Sequence, residues 1–546
     1  MDFVLTLHSH LPYVLHHGRW PHGSDWLCEA AVDTYLPLIE ALDALEAEQV
    51  PGPMTIGVTP VLANQLAHPS FGRELSTFLT QRIAACDEAE AEFAMNGEEH
   101  LIPLAGYWRE RYRRLRRLFE RCNGDLVAEL RRHAAAGRIE ILSSAATHGF
   151  LPLLRREESI ALQLAVGRAE HLRLFGRLPD GCWLPECAYR PGLEEHLAAN
   201  GYRFFFVDAH LAEAGRALGL YRETGRPDGL PLTDDDPRAA PARRSPYRTY
   251  EVSPREGQPS VVAFVRDPVS TRQVWSRHGG FPGDGAYLEF HKIRFPGGLK
   301  FWRVTHPSAD LGAKEPYEPN IARARAWGHA GHLHWLLRGR AEASRAAGES
   351  VIVAPFDTEL FGHWWYEGVD FIADLYRRLA TQEGPTPRTA SQHLAAEPPV
   401  AGIALSTGSW GAEGNFSMWL NPATQWTWDR LWPLEERFWS MAGTALAVPE
   451  YAALLAQAAR ELLLLQSSDW QFIITTGAAA DYATERFNGH AEALEEMLTA
   501  LEPARRSGLA AAQERAEALR RQDDVFPEIL PVLATVLRGR ALPSRR

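Results

Sequence analysis

The sequence predicts an α/β protein, with a parallel sheet wrapped by helices and a mostly helical C-terminal part. Three observations carry this expectation. Seven short apolar runs recur as far as Ala354, each with polar residues just past its end. Stretches rich in Ala, Leu, Arg and Glu lie between many of them, and alternating strand and helix marks a parallel sheet. After about residue 400 the character changes and helical patterns dominate.

The seven runs are residues 3–7, 55–59, 139–142, 182–184, 204–207, 261–265 and 351–354. They are short and nearly all apolar, as strands buried on both faces are. Residues 78–132 are strongly helical in composition and long for one crossover, so a helical insertion is expected there, inside a catalytic domain spanning 1–400. Residues 224–250 are rich in Pro, Arg and Asp. Loops of that length are usually functional or disordered, and a flexible flap near the active site and a plain linker are both open. Residues 401–546 form the expected C-terminal helical domain. It opens with the Gly-rich loop 407–415; from Leu434 onward helices are expected, at 451–467, 479–501, 509–521 and 527–538.

A chain of 546 residues holds a large core and more than one domain. Its 45% hydrophobic and 23% charged content are ordinary for a soluble globular protein. The net charge of −12 argues against general nucleic-acid binding, which needs a basic face. The basic run from Arg111 to Arg117 reads as the solvated face of a helix. The 5 cysteines, Cys28, Cys86, Cys122, Cys182 and Cys187, show no zinc-like pairing and fit reduced thiols in a cytoplasm. The first residues read as a strand and not a signal peptide. No window reaches the roughly 18 apolar residues of a membrane span. A cytoplasmic protein is expected, monomeric or a small homo-oligomer, with neither nucleic acid nor membrane as partner. The 17 tryptophans are many, and several fall in polar, Gly-rich loops. There a ring serves as a flat platform for a sugar, or is simply part of a large core.

Two carboxylates stand at strand ends. Glu186 sits in Trp183-Leu184-Pro185-Glu186-Cys187, and Asp357 in Ala354-Pro355-Phe356-Asp357-Thr358-Glu359. Other runs end in His8 and His10, in Asp208 and His210, and in Arg266 and Asp267, with His148 beyond the third. If the strands close into a barrel, these side chains share one rim. Two acids on such a rim suit the nucleophile and the general acid/base of a retaining glycosidase.

Five segments in order resemble glycoside hydrolase family 57, and within it the 1,4-α-glucan branching enzymes. They are His8-Ser9-His10-Leu11-Pro12-Tyr13, then 137–141 with Ala146-Thr147-His148-Gly149-Phe150, then 183–187, then 354–365, then Ser467-Ser468-Asp469-Trp470-Gln471-Phe472. Branching-type members also resemble the chain at Gln273-Val274-Trp275-Ser276, at 280–284, and at Trp410 with Trp419. The resemblance implies a seven-stranded (β/α) barrel with an inserted small domain and a helical C-terminal domain. The seven runs agree, although their count alone does not exclude eight.

By the same resemblance Glu186 is the nucleophile and Asp357 the general acid/base. The reaction is a retaining transglycosylation on an α-1,4-glucan (amylose or glycogen), which serves as donor and acceptor, and it makes an α-1,6 branch. No cofactor and no metal is expected. The candidate substrate-binding residues are His8, His10, Trp26, His148, Arg266, Trp275, Trp410, Trp419 and Asp469, with Trp20 a further aromatic. Arg266 is expected to orient Glu186 or to pair with Asp267, and Glu359 and Glu140 to act away from the chemistry. Three other readings stay open: an α-amylase or 4-α-glucanotransferase of the same family; a metal-dependent deacetylase or mannosidase-like hydrolase using His8, His10 and Asp208; and a non-catalytic glucan-binding protein.

Overall fold

The computed structural model describes residues 1–218, 244–253, 260–276, 279–344, 347–502 and 508–539. Among the described residues eleven strands occur in chain order: β1 (Asp2–Ser9), β2 (Met54–Val58), β3 (Ile139–Ser144), β4 (Gly181–Trp183), β5 (Phe204–Val207), β6 (Arg216–Leu218), β7 (Thr249–Val252), β8 (Val261–Val265), β9 (Val351–Asp357), β10 (Thr386–Pro387) and β11 (Gly402–Ala404). All seven expected runs are strands. They pair in parallel in the order β9-β1-β2-β3-β4-β5-β8. At the ends of that row, Arg266 bridges to Val353, and the Asp267 N–H donates to the Val353 carbonyl at 2.8 Å. The seam between β8 and β9 is thus held by one bridge and not by a full ladder. Every residue of β1 is buried, as a strand covered on both faces requires.

Strands β6, β7, β10 and β11 were not expected. β7 runs antiparallel to β8 and carries β11, which in turn carries β6. They are two to four residues long and leave no periodic signature. Between β2 and β3 stand helices Pro60–Ala67, Pro69–Asn96, Ile102–Arg121 and Leu126–Ala135. Proline opens the first two, where its missing N–H costs nothing. Helix Ile102–Arg121 buries Leu104, Trp108, Leu115, Leu118 and Phe119 at helical spacing. Within its basic run Arg114, Arg116 and Arg117 pair with surface glutamates, whereas Arg111 turns inward and donates to the Val32 carbonyl.

Most of the segment 224–250 lies outside the described residues. Its described end enters β7, and there Tyr247 is buried and donates to Asp267 Oδ1 at 2.9 Å. The C-terminal region is helical: Gln425–Leu446, Ala452–Leu465, Asp469–Thr476, Ala480–Ala500, Leu509–Gln522 and Ile529–Leu537. The first of these starts ahead of the expected Leu434, because it accommodates Pro433 inside the helix. Among the described residues no helix is long and apolar enough to cross a membrane.

Candidate active site

The carboxyl ends of the parallel strands gather the polar residues that follow them. In the pairing of β1 with β9, His8 stands opposite Asp357. β4 leads into a tight turn that carries Glu186, with φ of 61° at Glu186 and 46° at Cys187; His148, beyond β3, has φ of 58°. Left-handed backbone at non-glycine residues costs about 1–3 kcal/mol each, and such strain gathers where a side chain must be aimed.

The C-terminal region completes the site. Tyr189 and Gly408 exchange backbone hydrogen bonds at 2.8 and 3.1 Å, and the Trp410 N–H donates to the Glu186 carbonyl at 3.0 Å. This fixes the loop so that the Trp410 indole Nε1–H donates to Glu186 Oε2 at 2.9 Å. The Ser468 N–H likewise donates to the His148 carbonyl at 3.1 Å. The Ser468 hydroxyl then reaches Glu186 Oε1 at 3.2 Å.

Proton positions follow from that hydroxyl. Ser468 Oγ gives its one proton to Glu186, so it accepts from His148 Nδ1, 2.9 Å away. His148 Nε2 is therefore bare and accepts from His8 Nε2 at 3.0 Å. His8 Nδ1 is left as a buried acceptor with no hydrogen-bond partner among the described residues. Burial and the neighbouring histidines hold His8 and His148 well below the ordinary imidazole range, so both are neutral. The His8 ring also stacks on Trp183, with centroids 4.5 Å apart.

His10 bonds Asp469 Oδ2 at 2.8 Å through Nε2 and Thr59 Oγ1 at 3.0 Å through Nδ1. Both ring nitrogens of His10 and of His148 thus have protein partners, and a sugar hydroxyl reaches either ring only by exchanging one of them. Asp469 also accepts from Ser467 Oγ at 2.5 Å. Burial pushes its carboxyl up, but the charge and hydrogen bond of His10 outweigh this and leave it below the usual range.

Burial raises both central carboxyls. Glu186 is pushed up to about 7 by burial and by the charge of Asp357, against the Trp410 hydrogen bond that lowers it. Asp357 is pushed up to about 8 by burial and by Glu359, with Arg266 acting in the opposite sense. The two therefore share one electrostatic environment, although 171 positions separate them in the chain, and Asp357 holds its proton to the higher pH. Glu359 is also raised to about 7 by burial, but it is tied to the Tyr35 hydroxyl at 2.5 Å and to the His10 N–H.

Arg266 is buried, and it neither pairs with Asp267 nor acts mainly on Glu186. Its Nη1 donates to Asp208 Oδ2 and its Nε to Thr271 Oγ1, both at 2.9 Å, and its charge acts on Asp357. Asp267 instead caps helix Pro268–Trp275. The ligand set His8, His10 and Asp208 is not assembled, because Asp208 is held by Arg266 and His210. The His–carboxylate group that does assemble in the site is His10, His148 and Asp469, with ligand atoms within 4.8 Å of one another.

The tryptophans divide. Trp275 is 40% exposed and stands 6.0 Å from Trp410. Trp20 is exposed beside Phe295, and Trp26 is partly buried, edge-on to His22. Trp419, expected as a platform, is fully buried and stacked on Phe150 at 4.4 Å, so it offers no face to a sugar. It braces the loop from beneath: a Cβ on Gly411 would come within 2.9 Å of its ring. Sequence reasoning gave Ser468 and Trp183 no role of their own. Their only signal was to sit beside Asp469 and Glu186 in the recognised segments. Glu140 lies outside this chemistry and caps helix Ala390–Ala396 through the Ser391 N–H.

Two buried carboxyls, Glu186 and Asp357, at the strand ends of such a rim fit the class of glycoside hydrolases, and comparison with known proteins says which kind. The chain belongs to glycosyl hydrolase family 57, whose profile matches residues 4–401; residues 434–532 match the C-terminal region of 1,4-alpha-glucan branching enzymes. It is 36% identical over 503 residues to a 1,4-alpha-glucan branching enzyme of Thermococcus kodakarensis, covering 88% of this chain and 71% of that protein. The crystal structure of a family 57 branching enzyme from Pyrococcus horikoshii superposes with a TM-score of 0.86 at 34% identity, covering 97% and 96% of the two chains. The alpha-amylase AmyC of Thermotoga maritima superposes with a TM-score of 0.80 at 28% identity, covering 98% and 99%.

Proposed function

We propose that this chain is a 1,4-α-glucan branching enzyme that works by retaining transglycosylation, with Glu186 as nucleophile and Asp357 as general acid/base. The observation that carries the assignment of roles is the electrostatic split. Both carboxyls are buried and raised, Glu186 feels the charge of Asp357, and among the described residues Glu186 is the one of the two that accepts hydrogen bonds fit for an anion, from Trp410 and Ser468. The Glu186 carboxylate attacks the anomeric carbon as the α-1,4 bond breaks, and Asp357 gives its proton to the departing oxygen. The resulting glycosyl ester on Glu186 is then attacked by a 6-hydroxyl of a second glucan, which loses its proton to Asp357, and Glu186 leaves as carboxylate. Double displacement needs the two carboxyls about 5–5.5 Å apart across the sugar.

His8, His10, His148, Asp469, Arg266 and the tryptophans Trp26, Trp275 and Trp410 surround that sugar in this reading. The histidines act chiefly through Glu186 and Asp469. A cytoplasmic setting fits five buried free cysteines, and the same proposal takes the protein as a monomer or small homo-oligomer acting on glucan, not nucleic acid. The likeness to an alpha-amylase makes hydrolysis the second reading. Amylose treated with the protein, then debranched and counted for α-1,6 links, separates the two. Branches formed by the intact protein, and cut at least about a hundredfold in Glu186→Gln and Asp357→Asn, are the expected result. New reducing ends without branches mean an amylase, and full activity in both variants refutes the site.

A further inference from the structure

A third buried acid stands two residues past Asp357. Glu359 is 4% exposed. Its Oε1 accepts from the Tyr35 hydroxyl at 2.5 Å and from the His10 N–H at 3.2 Å. Among the described residues no arginine or lysine pairs with it. A buried carboxylate held by neutral donors alone is costly. A glutamine would reach the same two donors through its carbonyl without that cost. Packing and hydrogen bonding therefore do not explain why this residue is an acid.

Its mounting is specific. Tyr35 closes a π-helical turn, Ala31–Tyr35, set between helices Ser24–Ala30 and Leu36–Ala47. Such wide turns are rare and gather at functional sites. From the same turn the Asp33 carbonyl abuts Gly362, where the φ is 111° and a Cβ would lie 2.0 Å away. On the other side Ser9 Oγ bonds Thr358 Oγ1 at 2.8 Å. The turn that runs from Asp357 to Gly362 is thus clamped between β1 and the π-helical turn, which keeps the Glu359 side chain out of water.

What the carboxylate adds is charge. The groups that face Asp357 are Glu359, Arg266, Glu186, His8 and Cys187. Burial keeps the His8 ring and the Cys187 thiol neutral. Arg266 works against the proton on Asp357, and Glu359 works for it. Glu359 itself faces His10 and Tyr35, whose phenol burial keeps protonated. Glu359 is pushed up only to about 7, so it is an anion where Asp357 titrates, at about 8.

We infer that Glu359, held by Tyr35 and the His10 N–H, is a positioning residue for the general acid: its buried negative charge keeps the proton on Asp357 until the glycosidic oxygen takes it. The inference rests on the roles proposed for Glu186 and Asp357 and adds a third carboxyl to them. Glu359 acts through Asp357 and not on the sugar.

Glu359→Gln tests it, since it keeps an acceptor for both donors and deletes the charge. The assay is kcat/KM on amylose from pH 5.5 to 9.5. The alkaline limb should move down by about one pH unit, the effect of losing one nearby like charge, while the acid limb of Glu186 stays in place. At pH 9 the rate should fall roughly tenfold. Tyr35→Phe removes the donor that favours the Glu359 anion and should move the same limb the same way by less. An unmoved alkaline limb in Glu359→Gln, or a uniform fall across the profile, means a purely structural residue and overturns the inference. Fluoride release from an α-maltooligosyl fluoride checks the role of Asp357 separately, because fluoride leaves with little help from an acid. In the intact protein kcat/KM for that release should lack the alkaline limb. A limb that persists there does not belong to Asp357, and it overturns the proposed roles together with the inference.

Discussion

Replacing Trp410 by phenylalanine keeps an aromatic ring in the loop and deletes the one N–H that reaches Glu186 Oε2 at 2.9 Å. A hydrogen bond to a charged acceptor contributes about 1.5–3 kcal/mol, and 1.36 kcal/mol is one pKa unit, so Glu186 should rise by roughly 1.5 units. The sign follows from its role: Glu186 attacks as the anion, so its pKa sets the acid limb of the rate profile, while Asp357 must be protonated and sets the alkaline limb. With limbs at about 7 and about 8, the productive form peaks near pH 7.5. Its share there is roughly 0.6. Moving the acid limb to about 8.5 lowers the peak share to roughly 0.2 and shifts the optimum to about 8.2; at pH 6.5 the loss is roughly 25-fold. The assay is kcat/KM for loss of the iodine–amylose complex from pH 5.5 to 9.5, with thermal melts to confirm folding. A uniform fall with an unmoved acid limb would refute the reasoning and leave Trp410 a sugar platform only.

Arg266→Gln removes the positive charge that holds Asp357 down, so the alkaline limb should move to higher pH; it also leaves Asp208 with His210 as its remaining partner, so the stability loss read by urea melts should stay below the ~3–5 kcal/mol of a fully stranded buried charge. Asp357 and Glu186 titrate above their ordinary 3.8 and 4.5, so the native state binds more protons than the unfolded chain across that window, and stability falls as pH rises from about 4 to 8. Asp357→Asn should therefore raise Tm at pH 9 and leave it nearly unchanged at pH 4; equal shifts at both would count against the burial of that charge. Gly362→Ala forces a Cβ to within 2.0 Å of the Asp33 carbonyl at a φ of 111°. It should cost at least about 2–3 kcal/mol in urea unfolding, and a wild-type transition midpoint would mean that the turn yields freely.

The local chain shows its strands plainly. Residues 351–354 and 204–207 are apolar throughout because a parallel strand is covered on both faces, and that pattern survives in one dimension. The acids at the strand ends are legible for the same reason, since a charged residue closing a buried run needs a purpose. Strands β6, β7 and β11 escaped notice because three or four residues carry no period. Trp419 and Trp364 are the clearest case of what escapes a sequence. Both lie near polar, Gly-containing loops, yet one is fully buried against Phe150 and the other is 45% exposed.

The sequence alone determined which residues form the parallel strands and which two carboxyls end them. Tertiary structure decided the rest: the pairing of Ser468 and Trp410 with Glu186 across 282 and 224 positions, the transfer of Arg266 to Asp208, and the order of the two carboxyl pKa values. The physical reason is range. Backbone preference and hydrophobic period act over a few residues and are written in neighbouring letters. Desolvation and hydrogen bonding at a buried carboxyl depend on whatever the folded chain brings within a few ångströms, and no local pattern encodes that.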